Sequence, residues 1–272
     1  GIRDVHLEVI ESARETGPLT AHLDLQKPGL ADVRDAWRAG NHEEADRAFA
    51  RYLRTRAAPR PAPPAEPAGA AEIRRADRIL SGTYRLAGCP PHTFENGIVW
   101  NADPFDYEQW AISLNRHFHW HTLARAYLAT GDEKYARAWQ RQLLDWVRAM
   151  PVHIGSRWIE GPYNQPGKSP LSLDAGIRMG QTWFPAFDVF RSAPSVSDET
   201  ILAFAASCRR HARYLLQEKN FTSGSNWGAM ECNGLYHIGV LLPEFRAAAT
   251  WRQTALARIG SELSVQVYPD GV

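Results

Sequence analysis

From Tyr107 onward the chain is written almost wholly in one hydrophobic period, apolar residues recurring every three to four positions, and that period belongs to amphipathic helices. Residues 107–129 set Trp110, Leu114, Phe118 and His121 at this spacing, and Gly131-Asp132 ends that helix while capping the next. The second carries Tyr135, Trp139, Leu143 and Trp146 and stops at Pro151. Residues 173–190 predict a third, with Ile177, Phe184 and Phe187 inward and a kink at Pro185. Ser197 caps a fourth, placing Ile201, Phe204, Cys208 and Leu215 on one face. A fifth covers 226–242, and a sixth covers 244–264 with Phe245, Leu256, Ile259 and Leu263. Long amphipathic helices joined by short turns predict an all-α fold of antiparallel helical hairpins: a bundle, a solenoid or a closed toroid. The absence of a fixed repeat length argues against the solenoid.

Ahead of this region, residues 30–56 predict two short helices broken at Gly40-Asn41, with Val33, Trp37, Ala45, Phe49 and Leu53 as their apolar stripe. The chain therefore divides into an N-terminal helical hairpin region (1–58), a Pro/Ala-rich extended linker (59–70) and a helical domain (71–272). That domain begins with a short helix over 71–80. Residues 81–106, punctuated by Gly82, Gly88, Pro90, Pro91, Gly97 and Pro104, predict loop with a short strand pair. The Gly- and Pro-rich tract 152–170 predicts a long loop of the kind that carries function.

With 272 residues and 44% hydrophobic content the chain can bury a large core. Thirty-one Lys and Arg against 30 Asp and Glu leave a formal charge of +1, without the basic field that non-specific nucleic-acid binding needs. No apolar run is long enough for a membrane span. The start, Gly1-Ile2-Arg3-Asp4, lacks the features of a signal peptide, and a secreted or periplasmic protein whose leader has been removed is the expectation. Cys89, Cys208 and Cys232 are too scattered for a zinc site or a disulfide framework and read as buried thiols. No cofactor is called for. Ten tryptophans divide between a helical core and the flat faces with which proteins stack on sugars.

Two stretches place hydrogen-bonding residues where a core helix would carry aliphatics. In YEQWAISLNRHFHWHTLARAYLATGDEKY (107–135), Asn115, Arg116 and His117 are followed by His119 and His121. His117 and His121, at i and i+4, have the spacing of two zinc ligands but lack the intervening Glu and a third ligand. A hydrogen-bonded seam between helices and a polar substrate wall are the other readings. In FTSGSNWGAMECNGLYHIGVLLPEF (221–245), a small flexible loop delivers Asn226 to the start of a helix, where free N–H groups and the helix dipole favour an anion. Asn226 is then either a helix cap or a donor to a bound carboxylate. Glu231, Asn233, Tyr236 and His237 continue along the same helix.

LNRHFHWHTLARAYLATGDEKYA, LDAGIRMGQTW around Arg178, SGSNWGAMECNGLYHIGVLLPEF and the closing ELSVQVYPDGV, in this order over about residues 70–272, resemble the N-terminal region of heparinase II/III-like polysaccharide lyases, the heparinase III branch above all. The resemblance implies an incomplete (α/α) toroid, followed in the parent protein by a C-terminal β-sandwich, with an anionic polysaccharide in the cleft between them. It implies β-elimination at a uronic acid, with Asn226 as the catalytic residue that neutralises the uronate carboxylate. The family's catalytic tyrosine follows the YPDG segment and so falls beyond Val272, whence the expectation that residues 1–272 alone turn over little substrate. Asn115, Arg116, His117 and Arg178 are the candidates for supporting the carboxylate or touching sugar, Trp120, Trp183 and Trp227 for stacking, and Glu231 and Tyr236 for lining the wall.

Two other functions fit the same helices. An inverting glycosidase would need two carboxylates about 6.5–9.5 Å apart across a cleft; Asp103, Asp106, Glu108, Glu160 and Glu231 are present but form no recognisable pair. A non-catalytic carbohydrate-binding helical domain is the other.

Overall fold

A computed structural model describes residues 17–57, 67–150 and 172–267. After one 3-10 turn at Leu19–His22 come α1 (Ala31–Arg38) and α2 (His42–Thr55), and after residue 66 α3 (Ala70–Leu80). A two-residue antiparallel pair, β1 (Thr83–Tyr84) and β2 (His92–Thr93), is the one sheet among the described residues. The helices α4 (Glu108–Asn115), α5 (His119–Thr130) and α6 (Glu133–Ala149) follow. Then come α7 (Ser172–Ile177), a π-helical turn (Arg178–Thr182), α8 (Trp183–Phe190), α9 (Asp198–Leu216), α10 (Asn226–Leu241) and α11 (Ala248–Gln266). The fold is all-α, an incomplete (α/α) toroid of helical hairpins, of which α1–α2, α5–α6 and α10–α11 pack as pairs.

The local chemistry follows the sequence closely. Gly40, at φ +76°, ends α1, and Asn41 Oδ1 accepts from Glu44 N at 3.1 Å to cap α2. Gly131, at φ +67°, closes α5, and Asp132 accepts from Lys134 N to open α6. Ser197 caps α9 through Thr200 N. The core is aromatic: Trp110, Trp120, Trp139, Trp146, Trp183 and Trp251 are fully buried, Trp139 stacks on Phe190, and Phe187 lies 4.0 Å from Phe204, centroid to centroid. Cys208 and Cys232 are buried thiols and Cys89 is half-buried.

The N-terminal hairpin contributes Leu23, Leu30, Val33, Phe49 and Leu53 to that same core. Arg54 pairs with Asp198 at 2.9 Å, and Arg191 donates to the Leu53 carbonyl at 2.7 Å. Tyr52 Oη and Arg56 Nη1 both donate to Glu244 Oε1, at 2.9 and 2.7 Å, and Leu23 forms an isolated bridge with Phe245.

Three expectations need correction. Residues 107–129 are two helices, because the chain turns at His117, whose φ is +61°. The irregularity in 173–190 is a π turn at Arg178–Thr182, which ends three residues before Pro185 within one continuous helical run. The last helix begins at Ala248, since Glu244 and Phe245 are held by the N-terminal hairpin, and it buries Trp251, Ala255 and Glu262 while Leu256 and Leu263 are more than half exposed. The linker 59–66, the Gly/Pro tract 152–170 and the YPDGV ending lie outside the described residues. No helix among the described residues is long and apolar enough to cross a membrane.

Candidate active site

The segment before α10 is tied down from two sides. Glu231 accepts from Thr222 N at 2.7 Å and from Thr222 Oγ1 at 3.0 Å, and Glu262 of α11 accepts from Ser223 Oγ at 2.6 Å and Gly224 N at 2.8 Å. The Ser223 hydroxyl, with Gly224 N and Gln266, holds the Glu262 carboxyl below its usual range although desolvation works the other way. Gly224 has φ +74°, and Gly228 leaves room for the loop: a Cβ there would meet the Thr222 carbonyl at 2.5 Å. Ser225 is the N-cap, its Oγ accepting from Trp227 N at 3.2 Å.

Asn226 is therefore not the cap. It is the first helical residue of α10, its side chain is exposed, and it makes no hydrogen bond among the described residues. The first turn carries no acidic residue, so the partial positive charge of a sixteen-residue helix is uncompensated within that turn. An unengaged amide at such an end is suited to receiving a carboxylate.

The α4–α5 break is clamped by the π turn and α8. Arg178 Nη1 donates to the Asn115 carbonyl at 3.2 Å, Thr182 Oγ1 to the Arg116 carbonyl at 2.9 Å, and Trp183 Nε1 to His117 Nδ1 at 3.0 Å. Arg116 turns outward, half-buried, with Nε 2.7 Å from Asp174 Oδ1. Burial raises the Asp174 pKa, opposed by the Arg116 and Arg178 charges. The same α7–π segment packs on α10 at backbone contact, because Gly176 and Gly234 lack side chains; a Cβ on Gly176 would lie 2.5 Å from the Met230 carbonyl. His121 Nε2 meets the Gln181 carbonyl at 3.1 Å, and Gln181 Nε2 donates to Met230 Sδ at 3.9 Å. Met230 lies one turn after Asn226 on α10. The α7–π segment thus packs against both the α4–α5 break and the middle of α10.

Several candidates sit inside this assembly rather than on its surface. Asn115 is buried, donating to the Trp100 and Ala111 carbonyls and accepting from Trp146 Nε1. His117 stacks on Trp120 with ring centroids 4.2 Å apart, and both are fully buried, as is Trp183. Arg178 is 1% exposed, with its guanidinium 4.8 Å over Trp146 and Nε 3.1 Å from His211 Nε2. Glu231 is buried as the loop tether. These side chains shape the site from beneath and present no face to a ligand in this structure. Tyr236 is exposed, and Arg116 and Trp227 are half-buried. His117 and His121 do not share a helix face, since the chain breaks between them, and no group of three metal-binding side chains occurs among the described residues. Sequence reasoning missed Ser225, Asp174, Gln181 and Glu262. Only Ser225 had a signal, a small hydroxyl residue directly before the helix.

The profile of the heparinase II/III N-terminus matches residues 19–272. The chain belongs to this family. Among the relatives of this heparinase II/III N-terminal region are heparin-sulfate lyases of Pedobacter heparinus, 29% identical over 92% of the chain, and of Bacteroides stercoris, 27% identical over 92%. Among solved structures, heparan sulfate lyase HepC of Pedobacter heparinus superposes with TM-score 0.76 at 28% identity, covering 92% of this chain and 39% of that one. A heparinase III structure superposes with TM-score 0.78 at 25% identity. The chain spans 38% and 39% of the length of the two curated relatives.

Proposed function

We propose that this chain is the α-helical part of a polysaccharide lyase that cleaves uronic-acid-containing polysaccharide by β-elimination, with Asn226 donating its side-chain N–H to the uronate carboxylate. The carrying observation is that Ser225 does the capping, which leaves the exposed Asn226 amide unengaged at the positive end of α10. Kinship with heparin-sulfate lyases agrees with this reading.

The chemistry explains the residue type. A base removes the C5 proton, the electron pair moves towards the carboxylate as an enolate-like anion, and its return forms the C4–C5 double bond as the C4–O bond breaks and the departing oxygen takes a proton. The C5 proton is hard to remove because the adjacent carboxylate already carries charge. A fixed donor on that carboxylate stabilises the anion as it forms. An Asn supplies the donor without a charge of its own. In this reading a tyrosine that follows the YPDG segment transfers the proton, so residues 1–272 alone turn over little substrate.

The test is Asn226→Asp in the intact protein, assayed in the ultraviolet for unsaturated uronate on several uronic polysaccharides. The substitution places negative charge against the carboxylate, and losing one such donor costs about 10²–10³ in rate. Near-normal turnover with a normal melt would remove Asn226 from the mechanism. The glycosidase alternative loses Glu231, whose two oxygens are engaged by Thr222.

A further inference from the structure

A cavity of about 670 Å³ opens between the end of α3, the turn after β2 and the C-terminal half of α6, elements that carry none of the residues assigned above except through the core. It falls within the roughly 300–1,000 Å³ of small-molecule sites. Its frame is stiff: Gly82, at φ +81°, lets α3 run directly against the Phe94 carbonyl, which a Cβ would meet at 2.4 Å. At the base, Gln142 is fixed by His119 Nε2 and Trp120 Nε1 on its oxygen and by Tyr84 Oη on its nitrogen. Asp145 Oδ2 accepts from Trp100 Nε1 at 2.7 Å.

Arg141 and Arg148 stand on the wall, both exposed, and neither makes an ion pair or hydrogen bond among the described residues. At i and i+7 the two stand on one face of α6, two turns or about 10.5 Å apart. That separation is too wide to converge on one small anion, and it fits two acidic groups spaced along a chain. Between them Asp145, with Glu95 at the rim, offers acceptors for sugar hydroxyls, and the 52%-exposed Val99 offers an apolar surface for a pyranose C–H face.

We infer that this cavity is a second binding site, for a disaccharide stretch of an acidic polysaccharide whose carboxylates meet Arg141 and Arg148. Its residues are distinct from Asn226 and its loop, so it stands or falls apart from the lyase reading.

The experiment is an NMR titration of the intact protein, following the indole N–H of Trp100, assigned with Trp100→Phe, and that of Trp227 next to Asn226. The probe is an unsulfated tetrasaccharide of alternating glucuronate and N-acetylglucosamine; the controls are neutral N-acetylglucosamine tetramer, glucuronate alone and inorganic phosphate. The expected result is a saturable Trp100 shift with the acidic tetrasaccharide, a much weaker response to glucuronate, and none to the neutral tetramer. Arg141→Ala and Arg148→Ala should each weaken that response about tenfold while leaving the Trp227 response and the melting temperature unchanged. A silent Trp100 at millimolar acidic tetrasaccharide would overturn the site, and if Trp227 still responds the lyase reading survives. An equal Trp100 response to phosphate would show a general anion site and overturn the saccharide assignment.

Discussion

The indole N–H of Trp183 points at Nδ1 of His117 from 3.0 Å, and this one contact sets the state of the imidazole. An indole only donates, so Nδ1 accepts and the neutral ring carries its proton on Nε2, which has no partner among the described residues. The same His117 stands at φ +61° at the α4–α5 break. Trp183→Phe strands the acceptor as well and should destabilise by about 1–3 kcal/mol before the smaller ring is counted. His117→Gly relieves roughly 1–2 kcal/mol of backbone strain, yet it should also destabilise, because it empties the stack on Trp120. Urea unfolding of both variants checks this; a His117→Gly protein more stable than the parent would mean that the stack contributes less than the strain costs.

Acid should loosen the fold in a defined window. Burial drives His117 and His211 well below their usual pKa, and His119 to about 4, with the neighbouring positive groups adding to the shift. A histidine whose folded pKa is depressed binds a proton more readily when unfolded. Its contribution is thus complete above the unfolded value near 6.5 and is lost as the pH falls towards the folded one. For His119 the window runs from about 6.5 to 4, worth about 3 kcal/mol. Denaturation midpoints at pH 7.5, 6 and 5 should fall progressively, and His119→Gln should flatten the slope. A midpoint unchanged down to pH 5 would contradict the burial of these rings.

The helix start offers a comparison of adjacent residues. Ser225→Ala removes the cap of α10 and should cost about 1 kcal/mol, whereas Asn226→Ala, at an exposed side chain without a partner, should stay within about 0.5 kcal/mol. Thermal melts of the two side by side decide it. A larger loss at 226 than at 225 would return the capping role to Asn226.

Glycine substitutions should have opposite signs at two sites. A Cβ on Gly234 would lie 2.7 Å from Gly176 Cα, so Gly234→Ala must push α7 off α10, costing about 1–3 kcal/mol or more. Gly260, exposed inside α11 with nothing within 4 Å of a new Cβ, should gain about 0.5–1 kcal/mol as alanine. Equal melting shifts would refute the close approach of α7 and α10.

Where the period was strong, the sequence was readable. Tyr135, Trp139, Leu143 and Trp146 are all buried on α6, and the caps at Asn41, Asp132 and Ser197 stand as their residue types predict. The break at His117 was illegible because it uses neither Gly nor Pro; it is imposed by three donors from residues 178, 182 and 183, some sixty positions away. For the same reason the polar residues at 115–117 stood open between a buried seam and a substrate wall, and Asn115 and His117 belong to the seam. The stripe of the last helix was misread since Leu256 and Leu263 share its spacing yet face outward, while Glu262 turns inward to hold Ser223 and Gly224. Asn226 stood out by its place at a helix start and by the family resemblance. That Ser225 relieves it of capping had one signal, a hydroxyl residue directly before the helix.

The bond from Tyr52 to Glu244 joins residues 192 positions apart. During synthesis, at about 5–20 residues per second, some 10–40 seconds separate the emergence of these partners. Through that interval Tyr52 and Arg56 are without the Glu244 carboxylate, and Leu23 is without its bridge to Phe245. Docking of the α10–α11 junction is therefore the step that supplies the buried partner of Arg56.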